Sequence, residues 1–528
     1  MKQLLPPLLF LFALLLRLAL VAVTEFDGLY GQDAFAYFQY ALSLRQALGA
    51  GELPPPFFWP LGYPALVALA SLLTGPQPLA GQLISLLTGA AVAPLVYLIV
   101  LECHAYCVLR SPYKESPTQY GIRNTPQIPV GALIAGLLTA VAAQLTLYSL
   151  AAMSDAAGLF WATLSAWLLL RTFSHWQTSS YLPPRGQERQ VSNPFFLLPS
   201  SFYLCALTLT LAIMTRWVYG LLVVPWGLAG LLAAREAGLS WQRIISAGSI
   251  ALVIGLVGIG SQFSNSLGGE LAHTGDLQVV GWHPANAFKS VVENADGFFD
   301  YGRATGLYYL RPIFHPAYIF PLFTPFMVLG LLALKNGPRS RAALLIGWPL
   351  TVYLFLAGIA WQNWRFPLAL FAPLPVLVGL GLNWAWERLA GRGRLLLWAY
   401  CLVALAGSGL WAVRDVGNFT AWANQNRQIA LEIGHQLPPQ ATLLAFGLTS
   451  TVDHYNDLDT RELFSLTERD LQEITRAEDP LFLLLDPDNV QRQWAGRSPG
   501  ENYAWLQSHT RLTPIARYDD FVLYRVMP

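Results

Sequence analysis

Charge is the scarcest ingredient of this sequence. Only 12% of its 528 residues are Asp, Glu, Lys or Arg, against about 25% in a typical soluble domain, while 54% are hydrophobic and the mean hydropathy is +0.43. That supply cannot cover a water-exposed surface, so the chain reads as a membrane protein. Its 32 basic and 31 acidic residues nearly cancel, which excludes a global field for nucleic acid and leaves anion binding to local placement. Cysteine is equally rare: Cys103, Cys107, Cys205 and Cys401 lie in or beside apolar runs, and the polar C-terminal part has none, so no disulfide framework is indicated. The run "ECHAYC" lacks the second cluster of a zinc site. No internal repeat is visible, so the inverted halves of many transporters are not evident.

What the chain has in quantity is apolar runs near the roughly 20 residues that cross a bilayer. They fall at 4–23, 79–101, 130–150, 155–170, 199–214, 217–234, 244–261, 316–334, 342–360, 366–385 and 395–413, eleven in all. The first holds Arg17 and lacks a small-residue cleavage site, so it is read as an uncleaved span. With the N-terminus cytoplasmic, the inner loops carry more arginines and lysines than the outer loops of the membrane part, among them Arg110, Arg123, Arg235, Arg339 and Arg392, as the positive-inside rule requires. Residues 1–413 are then the membrane domain and 414–528 lie outside, in an envelope protein of the plasma (inner) membrane whose outer side is periplasmic or extracellular.

The outer region 414–528 changes character. "TLLAFGL" and "PLFLLLD" have the look of buried strands, "TERDLQEITRAED" opens with a capping-box pattern at Thr467 and Asp470, and "PIARYDDFVLYRVM" suggests a hairpin turning at Tyr518–Asp520. A small α/β domain fits. "DPD" at Asp486–Asp488 is ordinary turn chemistry.

Two long outer loops, 24–78 and 262–315, stand among very short ones, and long ordered loops are usually functional. The first contains Asp27 and Asp33, then a helical segment with Tyr37, Ala41, Leu44 and Leu48 on one stripe, expected to lie flat with that stripe toward lipid. Residues 63–73 are too short to span. The second holds His273, His283 and His315 with Glu270, Asp276, Glu293, Asp296 and Asp300; no spacing there matches a ligand motif, and "HPANAFKSVVENADGFFDYG" is expected to form an amphipathic helix.

An acid just after the first span, an aromatic amphipathic helix and the turn "WPLGYPALVALAS" resemble the opening of the GT-C superfamily of membrane glycosyltransferases, similar to the bacterial protein mannosyltransferase and aminoarabinose transferase group. "YSLAAMSDAAGLFWATLSAWLLLR", "LAIMTRWVYGLLVVPWG" and "NWRFPLALFAPLPVLV" resemble later landmarks in the same order. Where many relatives carry paired Asp-Glu, Asp33 is followed here by Ala34. The resemblance implies a multi-pass α-helical GT-C fold and transfer of a sugar from a polyprenyl-phosphate donor to an acceptor, which could be lipid, protein or glycan, on the outer face with inversion. Asp33 would be the catalytic base, Asp155 a supporting acid, and Arg216, Arg365, Arg303 and Arg311 the ligands of the donor phosphate. A divalent metal stays open as a cofactor, and the bilayer itself is a partner.

Plainer readings exist for each residue. Asp33 and Asp155 both suit helix N-caps, and Arg216 and Arg365 suit headgroup anchors. Rival functions are a transporter or flippase of lipid-linked sugars, which would want ionisable groups near mid-membrane, and a metal-dependent oligosaccharide ligase.

Overall fold

The computed structural model describes residues 3–109, 129–181, 199–266, 281–294, 296–335, 337–478 and 480–528. The chain begins with α1 (Leu5–Thr24), α2 (Gly31–Ala50), α3 (Gly62–Thr74), α4 (Leu79–Leu109), α5 (Val130–Ala140), α6 (Ala143–Leu150) and α7 (Ser154–Tyr181). It continues through α8 (Ser200–Thr215), α9 (Val223–Glu236), α10 (Trp241–Ser266), the hairpin β1 (Val291–Asn294) and β2 (Gly297–Asp300), and α11 (Thr305–Leu310). The membrane part closes with α12 (Thr324–Lys335), α13 (Arg339–Gly358), α14 (Pro373–Arg388) and α15 (Arg392–Gln436).

Among the described residues, seven helices are long and apolar enough to cross a bilayer, and α5 with α6, bent by 46°, makes an eighth. The three other expected spans form shorter helices: α8, α12 and, after a 3₁₀ turn at Phe366–Leu370, α14. The protein is therefore a multi-pass membrane protein. Helices approach closely where side chains are small: a Cβ on Gly379 of α14 would sit 2.7 Å from the carbonyl oxygen of Gly131 on α5, the kind of contact that drives packing where lipid removes the hydrophobic difference. Arg17 is fully buried in α1 and its Nη1 donates to Ala13 O at 2.9 Å and Ala140 O at 3.1 Å. Ala140 ends α5, so the guanidinium satisfies a carbonyl that the break between α5 and α6 leaves without an intrahelical partner.

The C-terminal part adds β3 (Thr442–Ala445), α16 (Thr449–Tyr455), β4 (Asp459–Glu462), α17 (Glu468–Ala477), β5 (Leu481–Leu485), α18 (Pro487–Gln493), α19 (Gly500–His509), β6 (Arg511–Tyr518) and β7 (Phe521–Met527). They form a sheet in the order β4-β3-β5-β7-β6, with β3 parallel to β4 and β5, and β7 antiparallel to β5 and β6. "LFLLL" is buried throughout because helices cover both faces: Leu484 packs with Ile433 and Val452 on one side, Leu483 with Leu471 and Leu506 on the other. The Thr467–Asp470 capping box is formed, Asp486 caps α18, and β6 and β7 turn at Asp519 and Asp520. Residue 413 lies inside the 45-residue α15, which runs unbroken from the membrane part into the sheet.

Two expectations fail. The apolar stripe of α2 does not face lipid: Tyr37, Ala41 and Leu44 are buried inside the protein and only Leu48 is exposed, because α3 packs against α2 and α16 lies on it. The segment after His283 is not an amphipathic helix but a 3₁₀ turn, Pro284–Phe288, followed by the β1–β2 hairpin. Val291, Val292, Phe298 and Phe299 are strand formers, and Gly297, at φ +105°, takes the left-handed backbone the turn needs.

Candidate functional site

Four polar residues from four separate segments meet at one end of the helix bundle. Asp33 lies in the first turn of α2 and Asp155 in the first turn of α7. Arg216 occupies an extended residue between α8 and the 3₁₀ turn Trp217–Leu222, and Arg365 precedes the turn Phe366–Leu370, where Pro367 starts the helix. Each thus sits where helical hydrogen bonding starts or stops.

Arg365 Nη1 donates to Asp33 Oδ2 at 2.7 Å, its Nε lies 3.7 Å from Asp155 Oδ1, and Arg216 Nη1 donates to the same Asp155 oxygen. The result is a chain Asp33–Arg365–Asp155–Arg216, formally neutral and mostly buried: side-chain exposure is 2% for Asp155, 16% for Arg365, 17% for Arg216 and 30% for Asp33. Burial opposes the charge on Arg365, yet Asp155 and then Asp33 outweigh it and hold the guanidinium protonated above its ordinary range. Neither acid is spent on capping: the N-cap of α2 is Tyr30, whose side chain makes no cap bond, and Asp155 reaches Arg216 instead. Both arginines point inward to these acids.

Tyrosines unmarked by the sequence surround the cluster. Tyr30 lies beside Tyr148, and burial raises the pKa of the Tyr30 phenol, so it stays neutral. Ser154 Oγ donates to Tyr37 OH at 3.2 Å. The only advance signal was a hydroxyl in the middle of an apolar run such as "TLYSL", which must find a partner when buried.

Arg303 and Arg311 do not join. Arg303 is exposed on the loop before α11, and Arg311 lies over Trp364, 4.8 Å from its ring centre. His315 lies beside Trp364, and burial followed by Arg311 pushes its pKa down to about 4, so it stays neutral near pH 7. Among the described residues no three His, Cys, Asp or Glu converge on a metal position; His273, Glu270 and Asp276 lie outside them. His283 Nδ1 instead accepts from Ala285 N.

Gly62, from "WPLGYP", explains how α3 reaches the cluster. A Cβ there would lie 2.6 Å from Met214 O and 2.9 Å from Thr215 N, so glycine alone lets α3 abut the end of α8 beside Arg216. Gly62→Val is expected to displace that end and destabilise the protein by about 1–3 kcal/mol, read as a lower melting temperature in detergent; an unchanged melt would show that α8 yields freely.

An apolar cavity of about 440 Å³ runs between α7, α8, α9 and α10, lined by Leu169, Cys205, Ile213, Trp226, Ala251 and Ile259, and none of the four charged residues lines it. Ile213, which lines it, stands three residues before Arg216 in the sequence.

No family model and no curated protein matches the sequence. Solved structures do. ArnT from Cupriavidus metallidurans bound to undecaprenyl phosphate superposes with a TM-score of 0.60 over 97% of both chains at 14% identity, and its apo form gives 0.59. The apo oligosaccharyltransferase of Archaeoglobus fulgidus gives 0.58 over 95% of this chain and 71% of that one, at 12% identity. The chain has the GT-C fold. Within that GT-C frame, the landmarks "MSDAAG", "MTRWVYG" and "NWRFP", scattered over more than 200 residues, are the segments that deliver Asp155, Arg216 and Arg365 to one place.

Proposed function

We propose that this chain transfers a sugar from a polyprenyl-phosphate donor to an acceptor hydroxyl or amine at the outer face of the plasma membrane, with the N-terminus cytoplasmic. The observation that carries the reading is the mostly buried Asp33–Arg365–Asp155–Arg216 chain, with two arginines and two acids brought together at the end of a membrane bundle that also holds an apolar cavity between α7, α8, α9 and α10. An isoprenoid tail suits the cavity, and a phosphate suits two arginine forks. That one relative of this fold was solved with undecaprenyl phosphate supports the donor class.

The arrangement couples two halves of the reaction. The acceptor oxygen attacks the anomeric carbon while the bond from that carbon to the phosphate oxygen breaks, its electron pair staying with the phosphate, so configuration inverts. Asp33 takes the acceptor's proton as the new bond forms. Protonation neutralises the carboxylate that Arg365 holds, and the guanidinium turns to the phosphate as negative charge grows there. Asp155 keeps Arg216 and Arg365 oriented throughout.

The test is binding of undecaprenyl phosphate to the purified chain in nanodiscs, alongside mass spectrometry of envelope lipids, glycans and glycoproteins with and without the gene. Saturable binding that competes with a lipid-linked sugar, and a glycoconjugate lost on deletion, are expected. No binding, with an unchanged envelope, would overturn the reading.

A further inference from the structure

Helices and a turn of the C-terminal domain hold the segment that carries Asp33 directly, and the segment that carries Arg365 through the β1–β2 hairpin. On one side, Tyr455 OH donates to Asp27 Oδ2 and Arg427 Nη1 lies 3.6 Å from that oxygen, while Asp27 Oδ1 accepts the Leu29 N–H at 3.1 Å. Four residues on, α2 lies under α16: the His454 ring stands 5.4 Å from Phe35 and 5.8 Å from Phe38, and Gln39 Nε2 donates to Asp453 at 3.2 Å. Asp33 is thus bracketed by contacts to α15 and α16.

On the other side, Arg497 donates to Glu293 and to the carbonyl of Asn294, and Gln493 Nε2 donates to Asp296 O at 2.7 Å. The hairpin so held passes the constraint inward. Asn294 Nδ2 donates to Ala360 O at 2.7 Å, and Trp361 Nε1 donates to Asp296 Oδ2 at 2.8 Å. Tyr309 OH donates to Trp361 O at 2.8 Å and accepts from Asn363 N at 3.2 Å, and Asn363 Oδ1 accepts from Arg365 N at 2.8 Å. Hydrogen bonds and short stretches of backbone therefore lead from the sheet to both members of a pair that is 332 residues apart in sequence.

We infer that the C-terminal domain is a two-point brace that fixes the spacing between Asp33 and Arg365, with Asp27 and Tyr455 on one arm and Glu293, Asp296 and Arg497 on the other as positioning residues. The physical reason is that each loop alone has its own freedom, and misplacement of about 1 Å in a site of this kind costs on the order of 10²-fold. A sheet buried on both faces gives the two loops one rigid reference. The inference rests on the donor-phosphate reading only for its consequence, not for the brace itself.

The experiment uses the full chain in nanodiscs, with spin labels carried by non-natural amino acids at the exposed positions Gln46, on α2, and Arg303, after the hairpin. Wild type should give one narrow distance distribution. Tyr455→Phe, Arg497→Glu and Glu293→Arg should each broaden it while the protein stays folded by melting temperature, and the double exchange Arg497→Glu with Glu293→Arg should narrow it again. Affinity for undecaprenyl phosphate should fall about 5- to 100-fold in the single variants, the range in which a distant element couples to a site, and recover in the double exchange. A distribution that stays narrow in all single variants overturns the brace. If wild type does not bind undecaprenyl phosphate, the functional reading fails, and the distance distributions still decide the brace.

Discussion

Asp33→Asn is expected to abolish sugar transfer while leaving the amount of protein in the membrane, and its affinity for donor, intact. Asparagine has the same shape and keeps an oxygen for Arg365, whose other carboxylate, Asp155, remains 3.7 Å away. The variant cannot take up a proton. General-base catalysis typically contributes about 10²- to 10⁴-fold, so kcat should fall by that amount while donor binding is equal or tighter, because a competitor for the guanidinium has lost its charge. The split between kcat and binding distinguishes chemistry from folding. Normal turnover in Asp33→Asn would remove this residue from the mechanism.

Arg365→Ala should act the other way round, on binding first. It strips Asp33 of its 2.7 Å partner and Asp155 of one of two cations, and on the proposed function it removes a fork from the phosphate. Truncating one member of a buried, hydrogen-bonded charge pair costs about 2–5 kcal/mol, or roughly 30- to several-thousand-fold in affinity. The apparent KM for a lipid-linked donor, or the Kd for undecaprenyl phosphate, should rise accordingly, with Arg365→Lys recovering part because the charge returns without the planar fork. Arg216→Ala should raise KM as well, and more severely disturb Asp155, which is nearly without solvent. Unchanged donor kinetics in both alanine variants would return these arginines to the role of interfacial anchors.

The contrast between Arg365 and Arg311 shows how far a linear reading reaches. Both arginines lie within two residues of an aromatic, and nothing in spacing separates them; packing turns one toward two carboxylates and lays the other on Trp364. The hairpin at residues 291–300 escapes a linear reading for a related reason. Apolar and polar residues in "SVVENADGFFD" satisfy a helical period on paper, whereas β-branched and aromatic residues around a glycine with positive φ form a hairpin once Ala360, Trp361 and Gln493 offer partners. The stripe on α2 failed differently: apolar residues announce burial, but not whether lipid or another part of the chain does the burying.

Composition and periodicity by themselves determined that the chain lives in a bilayer, where its apolar runs lie, and which strands, capping box and turns begin the C-terminal sheet, because those features depend on neighbours a few residues apart. Only the tertiary structure decided that Asp33, Asp155, Arg216 and Arg365 share one site, and that the sheet holds the loops on both sides of it. Electrostatic pairing between segments up to 332 residues apart depends on how helices end and cross, which is set by close approaches such as Gly62 against Met214 and leaves no period in the sequence.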